Sequence, residues 1–175
     1  MSTSLVPVVP IAPALNTLAM RQAIRDFEAY LAQFPEAVHG DSALFPLKHS
    51  FAEGLYVREM FLPRGSIVVG KIHKHAHPNF LMQGEVLVFT EGGGYQHLCA
   101  PLAMISQPGT KRVVKVLADT IWIVVHDVGA ERDLEKIEDL VIAPTYDDLQ
   151  VYLEGLADPQ KALRDHEAHF LDEGG

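Results

Sequence analysis

Between Glu53 and Val128, short runs of β-branched and aromatic residues alternate with turns marked by Gly and Pro, the spacing of an antiparallel sandwich or barrel. Leu55 to Leu62 leads into the turn Pro63-Arg64-Gly65, and Ser66 to His73 follows. Phe80 to Thr90 is interrupted at Gly84 and ends in Glu91-Gly92-Gly93-Gly94. Tyr95 to Ser106 contains Pro101, and Gln107-Pro108-Gly109-Thr110 forms the next turn. The last pair, Lys111 to Leu117 and Thr120 to Val128, reads as a hairpin around Ala118-Asp119.

The flanks have a different period. Met20, Ile24, Phe27, Leu31 and Phe34 recur at alternating four- and three-residue intervals, which predicts an amphipathic helix within Asn16 to Phe34, stopped by Pro35. Downstream, Thr145 and Asp148 form a capping pattern ahead of Leu149, Tyr152 and Leu153. Asp158-Pro159 suits the start of a second helix carrying Ala162, Leu163 and Phe170. His166 and His169, one helical turn apart there, are expected to be solvated. The chain thus divides into an extended proline-rich arm (1–15), a helical segment (16–52), a β-barrel (53–130) and an acidic helical tail (131–175).

Net charge is −9, from 14 basic and 23 acidic residues, which argues against a nucleic-acid-binding surface. A single cysteine, Cys99, excludes an internal disulfide and fits a cytoplasmic compartment. Its apolar neighbours Leu98 and Ala100 predict a buried structural thiol. No window approaches the roughly 18 to 20 apolar residues that span a bilayer. Val6 to Leu15 lacks the basic flank of a signal peptide and carries Pro7, Pro10 and Pro13, so it is expected to lie as an arm along a neighbouring subunit of a homodimer.

The densest chemical signal is Lys71-Ile72-His73-Lys74-His75-Ala76-His77. Imidazole is the commonest side-chain metal ligand and is largely neutral at physiological pH. Ile67-Val68-Val69 before the cluster and Pro78 after it favour a strand, whose alternation puts Lys71, His73, His75 and His77 on one face. Three histidines in a straight row do not all reach one ion. The chain must bend near Ala76 or Pro78, or one histidine stays free.

With Gly65, Lys71, His73, His77 and Gly84, the intervals resemble the first motif of the cupin superfamily, Gly-x5-His-x-His-x3,4-Glu-x6-Gly. His73 matches the second histidine, Lys71 stands in place of the first, and His77 in place of the glutamate. Gln107-Pro108-Gly109 followed by Arg112 is similar to the second motif, with Gln107 replacing a proline and Arg112 a histidine. The resemblance spans about 75 residues and implies an antiparallel RmlC-like β-barrel (a double-stranded β-helix) with helical extensions. Tyr56-Val57-Arg58-Glu59, Lys71 to Lys74 and Pro108 to Val113 also resemble uncharacterised cupin-like proteins of tailed phages and prophages, which would place the chain in a host cytoplasm.

The resemblance implies a divalent transition metal, with Fe, Mn, Zn and Ni not distinguished. His73, His77 and His126 form the first candidate set, and His75 is the reserve. Whether His126 faces the interior turns on the length of the Ala118-Asp119 turn: two residues face it away, one more brings it opposite Arg112. Arg58, Lys71 and Arg112, with Tyr56, are candidates for an anionic small molecule, because a guanidinium fork reads carboxylate and phosphate. Arg58 paired with Glu53 or Glu59 at the surface is the competing reading. Glu85 and His97 are expected on the outer sheet and Trp122 in the core. Cupins include enzymes, storage proteins and sensors, so two functions stand: a metal-dependent small-molecule enzyme whose catalytic groups are unassigned, or a non-catalytic ligand-binding, regulatory or virion-associated protein.

Overall fold

A computed structural model describes residues 8–11, 18–92 and 94–157. The expected helix start at Asp158-Pro159, with His166 and His169, lies outside the described residues. In chain order the elements are β1 (Val8–Ile11), α1 (Leu18–Leu31), β2 (Leu47–Ala52), β3 (Gly54–Leu62), β4 (Ile67–Val69), β5 (Ile72–His73), β6 (His77–Thr90), β7 (Tyr95–Cys99), β8 (Leu102–Ser106), β9 (Arg112–Gly129), α2 (Leu134–Val141), β10 (Ile142–Ala143) and α3 (Tyr146–Ala157).

Two long strands organise the fold. The first half of β6 pairs with β8 and with the second half of β9, which in turn pairs with β3. The second half of β6 pairs with β7 and with the first half of β9, which also pairs with β4. Both strands therefore pass from one half of a curled sheet to the other, with β3–β2 and β8–β1 at its ends. The architecture is the mainly antiparallel β fold with flanking helices expected from the sequence. Among the described residues, however, the sheet curls without hydrogen-bonded closure.

The crossing point lies opposite Gly84, where the register of β6 on β9 shifts between Leu81 and Val86. Gly84 has φ +94°, and a Cβ there would meet Asp119 O at 2.6 Å and Thr120 Cα at 2.7 Å, so a side chain would strike backbone. This bulge corrects the expected hairpin. Ala118-Asp119 lies inside one continuous strand, because neither residue offers the positive φ that a tight two-residue turn requires. Asp119 instead accepts the Arg64 amide at 2.8 Å through Oδ1, and Thr120 Oγ1 donates to Ala118 O at 2.7 Å.

Leu62, Leu81, Val86, Val88, Met104, Val114, Val116, Trp122 and Val124 make the main core. The single run expected from Ser66 to His73 breaks after Val69 and resumes at Ile72 to pair with β10. That pairing draws in a helix the sequence reading did not separate. α2 is capped by Asp133, whose side chain accepts from the amides of Glu135 and Lys136, and it packs Ile137 and Val141 against Tyr56 and Val128. At α3 the expected capping pattern forms: Asp148 N donates to Thr145 Oγ1 at 3.1 Å, and Thr145 N to Asp148 Oδ2 at 2.9 Å.

Candidate metal centre

The sequence presents His73 and His77 on separate strands because β5 ends at His73 and β6 begins at His77, the bend falling between them. Their rings meet at 4.2 Å between centroids. His126, opposite Tyr56 in the β3–β9 ladder, completes the group at 5.0 Å from His73 and 4.6 Å from His77. One nitrogen from each of the three rings lies within 4.8 Å of the others, and all three residues are buried.

Hydrogen bonding leaves this group with unused lone pairs. His77 Nδ1 donates to the His75 carbonyl at 3.0 Å, which leaves Nε2 as the basic nitrogen. His73 Nδ1 and His126 Nε2 are buried with no partner among the described residues. Burial holds all three rings neutral: His73 lies well below the ordinary range, His77 is lowered to about 4 and His126 to about 3. Neighbouring Arg58 and Arg112 reinforce the effect on His73 and His77. Neutral imidazoles converging with orphaned nitrogens are the donor set a divalent transition metal takes, so the residues fit such an ion.

Around them, β6 and β9 supply a polar frame. Asn79 Nδ2 donates to His77 O at 3.1 Å and to Ser106 Oγ at 2.8 Å, and its Oδ1 accepts from Trp122 Nε1 at 3.0 Å. Arg112 donates to the same Ser106 hydroxyl and lies 5.8 Å over the Trp122 ring. The sequence reading missed Asn79 and Ser106. Asn79 was within reach of alternation, two residues beyond His77 on the same strand face. Ser106 carried no such signal, since its partnership with Asn79 depends on the β6–β8 register.

A cavity of about 830 Å³ opens beside the histidines, with Arg58, Arg112, His73, His77 and Asn79 on its polar side. Desolvation lowers the guanidinium pKa of Arg58, and that of Arg112 to about 10. Among the described residues neither forms an ion pair, so Arg58 is not paired with Glu53 or Glu59. Arg58 Nε is buried without a partner among those residues. Tyr56 lies behind the histidines, its hydroxyl hydrogen-bonded to His49 Nδ1 at 2.7 Å and its ring stacked on His126.

Two candidates turn elsewhere. His75 Nε2 donates to Leu140 O at 3.0 Å and its Nδ1 accepts from the Tyr152 hydroxyl at 3.1 Å, so both nitrogens tie the strand turn to α2 and α3. A reserve ligand must have a free nitrogen, and His75 has none. Lys71 lines the cavity, but its ammonium is taken up by an ion pair with Glu138. Cys99 is exposed rather than buried, because β7 is a sheet edge and its outer face meets solvent. There it neighbours the exposed pair His97 and Glu85, Sγ 3.9 Å from His97 Nε2.

No protein-family model matches the chain, and no curated protein matches it. Its neighbours among solved structures include several RmlC-like cupins. One is an RmlC-like cupin from Shewanella frigidimarina, with 17% identity and TM-score 0.43 over 57% of this chain and 91% of that one. KdgF from Halomonas sp. aligns with 18% identity and TM-score 0.42 over 50% and 82% of the two chains. Ectoine synthase from P. lautus aligns with 10% identity and TM-score 0.48 over 63% and 80%.

Proposed function

We propose that His73, His77 and His126 hold a divalent transition metal and that the adjoining cavity is a small-molecule site, with Arg58 and Arg112 orienting an anionic ligand. The observation that carries this reading is the pair of orphaned buried nitrogens, His73 Nδ1 and His126 Nε2, within a neutral three-imidazole cluster. An unsatisfied buried polar atom costs roughly 1–3 kcal/mol, and a shared ion satisfies both at once. Three protein ligands leave coordination positions open, and a metal so held supplies Lewis acidity or an activated water. The chain's own contribution is positional. Asn79 bonds the His77 carbonyl, the His75 carbonyl fixes the His77 tautomer, and Trp122 with Ser106 holds Arg112 at the cavity wall.

A second reading, a non-catalytic ligand-binding or regulatory protein, has its own support. The only carboxylates among the described residues lining the cavity are Glu28, tied to Lys111, and Glu36, both on the segment outside the barrel strands. Among the described residues the histidine side thus offers no carboxylate as a general acid or base. The resemblance to phage-encoded cupin-like proteins belongs with this reading.

Elemental analysis of protein purified without a histidine tag tests the metal site. About one equivalent of metal is expected in the wild type, with a large loss in both His73→Ala and His77→Ala. Equal content in all three proteins removes the site.

A further inference from the structure

The cavity combines two features that no purely polar ligand satisfies together. Its polar side holds two guanidinium groups, Arg112 buried and Arg58 half-buried with an enclosed Nε, that form no ion pair among the described residues. Burial of an uncompensated charge is costly, and among the described residues both groups keep donors to spare: Arg58 Nε has no partner, and the side chain of Arg112 has Ser106 alone as acceptor. The walls above them are apolar, built by Phe45, Leu47, Met60, Leu62, Val68 and Trp122. Leu44 and Ile67 extend the apolar strip to the rim, 57% and 45% exposed, beside the exposed polar residues Glu36, His39 and Arg64.

From this we infer that the cavity binds an amphipathic organic anion: an oxyanion head, carboxylate or phosphate monoester, between Arg58 and Arg112, and an apolar body running along the Phe45–Met60–Trp122 wall toward Leu44 and Ile67. The guanidinium fork accepts either head group. A volume of about 830 Å³ falls within the range of pockets that enclose drug-sized ligands, well beyond what a small inorganic anion fills. Removing the apolar wall and the tail from water supplies affinity, and neutralising two largely desolvated cations supplies specificity. The inference rests on the cavity being the ligand site proposed above and is independent of the metal.

Calorimetric titration of metal-stripped wild-type protein with straight-chain carboxylates from butanoate to decanoate tests it, beside the matching alcohols and alkyl phosphates. Affinity is expected to rise about fourfold per added methylene. Alcohols of equal length are expected to bind at least about tenfold more weakly, as is decanoate to Arg112→Gln or Arg58→Gln. Whichever of carboxylate or phosphate binds more tightly identifies the head group. Alcohols binding as well as both anions overturn the role of the arginines, and affinity independent of chain length overturns the apolar body. The wild-type comparison of acid with alcohol decides the matter even if an arginine variant fails to fold. Absence of binding in a protein that still takes up metal sinks this inference and leaves the metal site standing; binding by a protein that never takes up metal does the reverse.

Discussion

The imidazoles of His73 and His126 lie face to face, 5.0 Å between centroids with 12° between their planes. One closes a two-residue strand and the other lies near the end of β9, the longest of the described strands. Two near-parallel rings that each keep a buried nitrogen without a partner among the described residues form a stable pair only while both are uncharged, because protonating either one puts a cation into a buried site already flanked by arginines.

That constraint gives the metal-free protein an acid limit. The folded-state values of His77 and His126 are lowered to about 4 and about 3 from 6.5. Below pH 6.5 the unfolded chain therefore binds protons that the folded chain refuses, so stability falls as pH drops. Above 6.5 both states are neutral at these sites and the effect vanishes. The loss due to His77 alone between pH 6.5 and 4 is about 3 kcal/mol. Urea denaturation of metal-stripped protein across this range should show it, with a shallower slope in His77→Gln. Stability independent of pH from 7 to 4 would contradict the geometry of the cluster.

Arg112 exposes a conflict between binding and folding. Its guanidinium is buried, bonded to Ser106 and set over Trp122, and its pKa is lowered to about 10 by desolvation, so it remains charged at neutral pH. Arg112→Met removes the charge and retains an unbranched apolar side chain, while Asn79 still donates to Ser106 Oγ at 2.8 Å. The variant should gain about 1–3 kcal/mol of stability in ligand-free, metal-free protein and lose affinity for anions. Chemical denaturation and titration on one preparation check both halves. A destabilised variant would mean that the charge has a partner in the folded protein.

Local chemistry made much of this legible in the sequence. The strand runs and turns were visible because Gly65, Gly92 and Gly109 punctuate β-branched segments, and the α1 stripe because its period is helical. His73 and His77 stood out because a bend in one short segment suffices to join them. His126 was ambiguous because its facing depends on pairing: a tight turn at Ala118-Asp119 and a bulge opposite Gly84 use the same residues but assign different partners to every position beyond them. Cys99 was misread because an apolar run does not reveal whether its strand lies at an edge. Glu91 gave no signal, since in sequence it is one polar residue at the start of a glycine turn.

Yet Glu91 is fully buried and joins three parts of the chain. Arg21 of α1 donates to it from Nε at 2.7 Å, and Tyr146 of α3 donates its hydroxyl at 2.8 Å. The carboxylate raises the pKa of Arg21; desolvation chiefly, then Glu91, raises that of Tyr146, whose ring lies 4.1 Å beneath the Arg21 guanidinium. Arg21→Ala should cost about 3–5 kcal/mol, because it leaves a buried carboxylate with a single neutral donor. Glu91→Ala should cost a comparable amount, and the double variant less than their sum by about 1–3 kcal/mol. Chemical denaturation of the four proteins gives that coupling directly. Since α1 leads into the segment that roofs the cavity, limited proteolysis should cut between Leu31 and Leu47 faster in either single variant than in wild type. Additive losses with unchanged proteolysis would show that α1 is held by Ile24 and the Glu28–Lys111 pair alone, and that Glu91 does not clamp the roof.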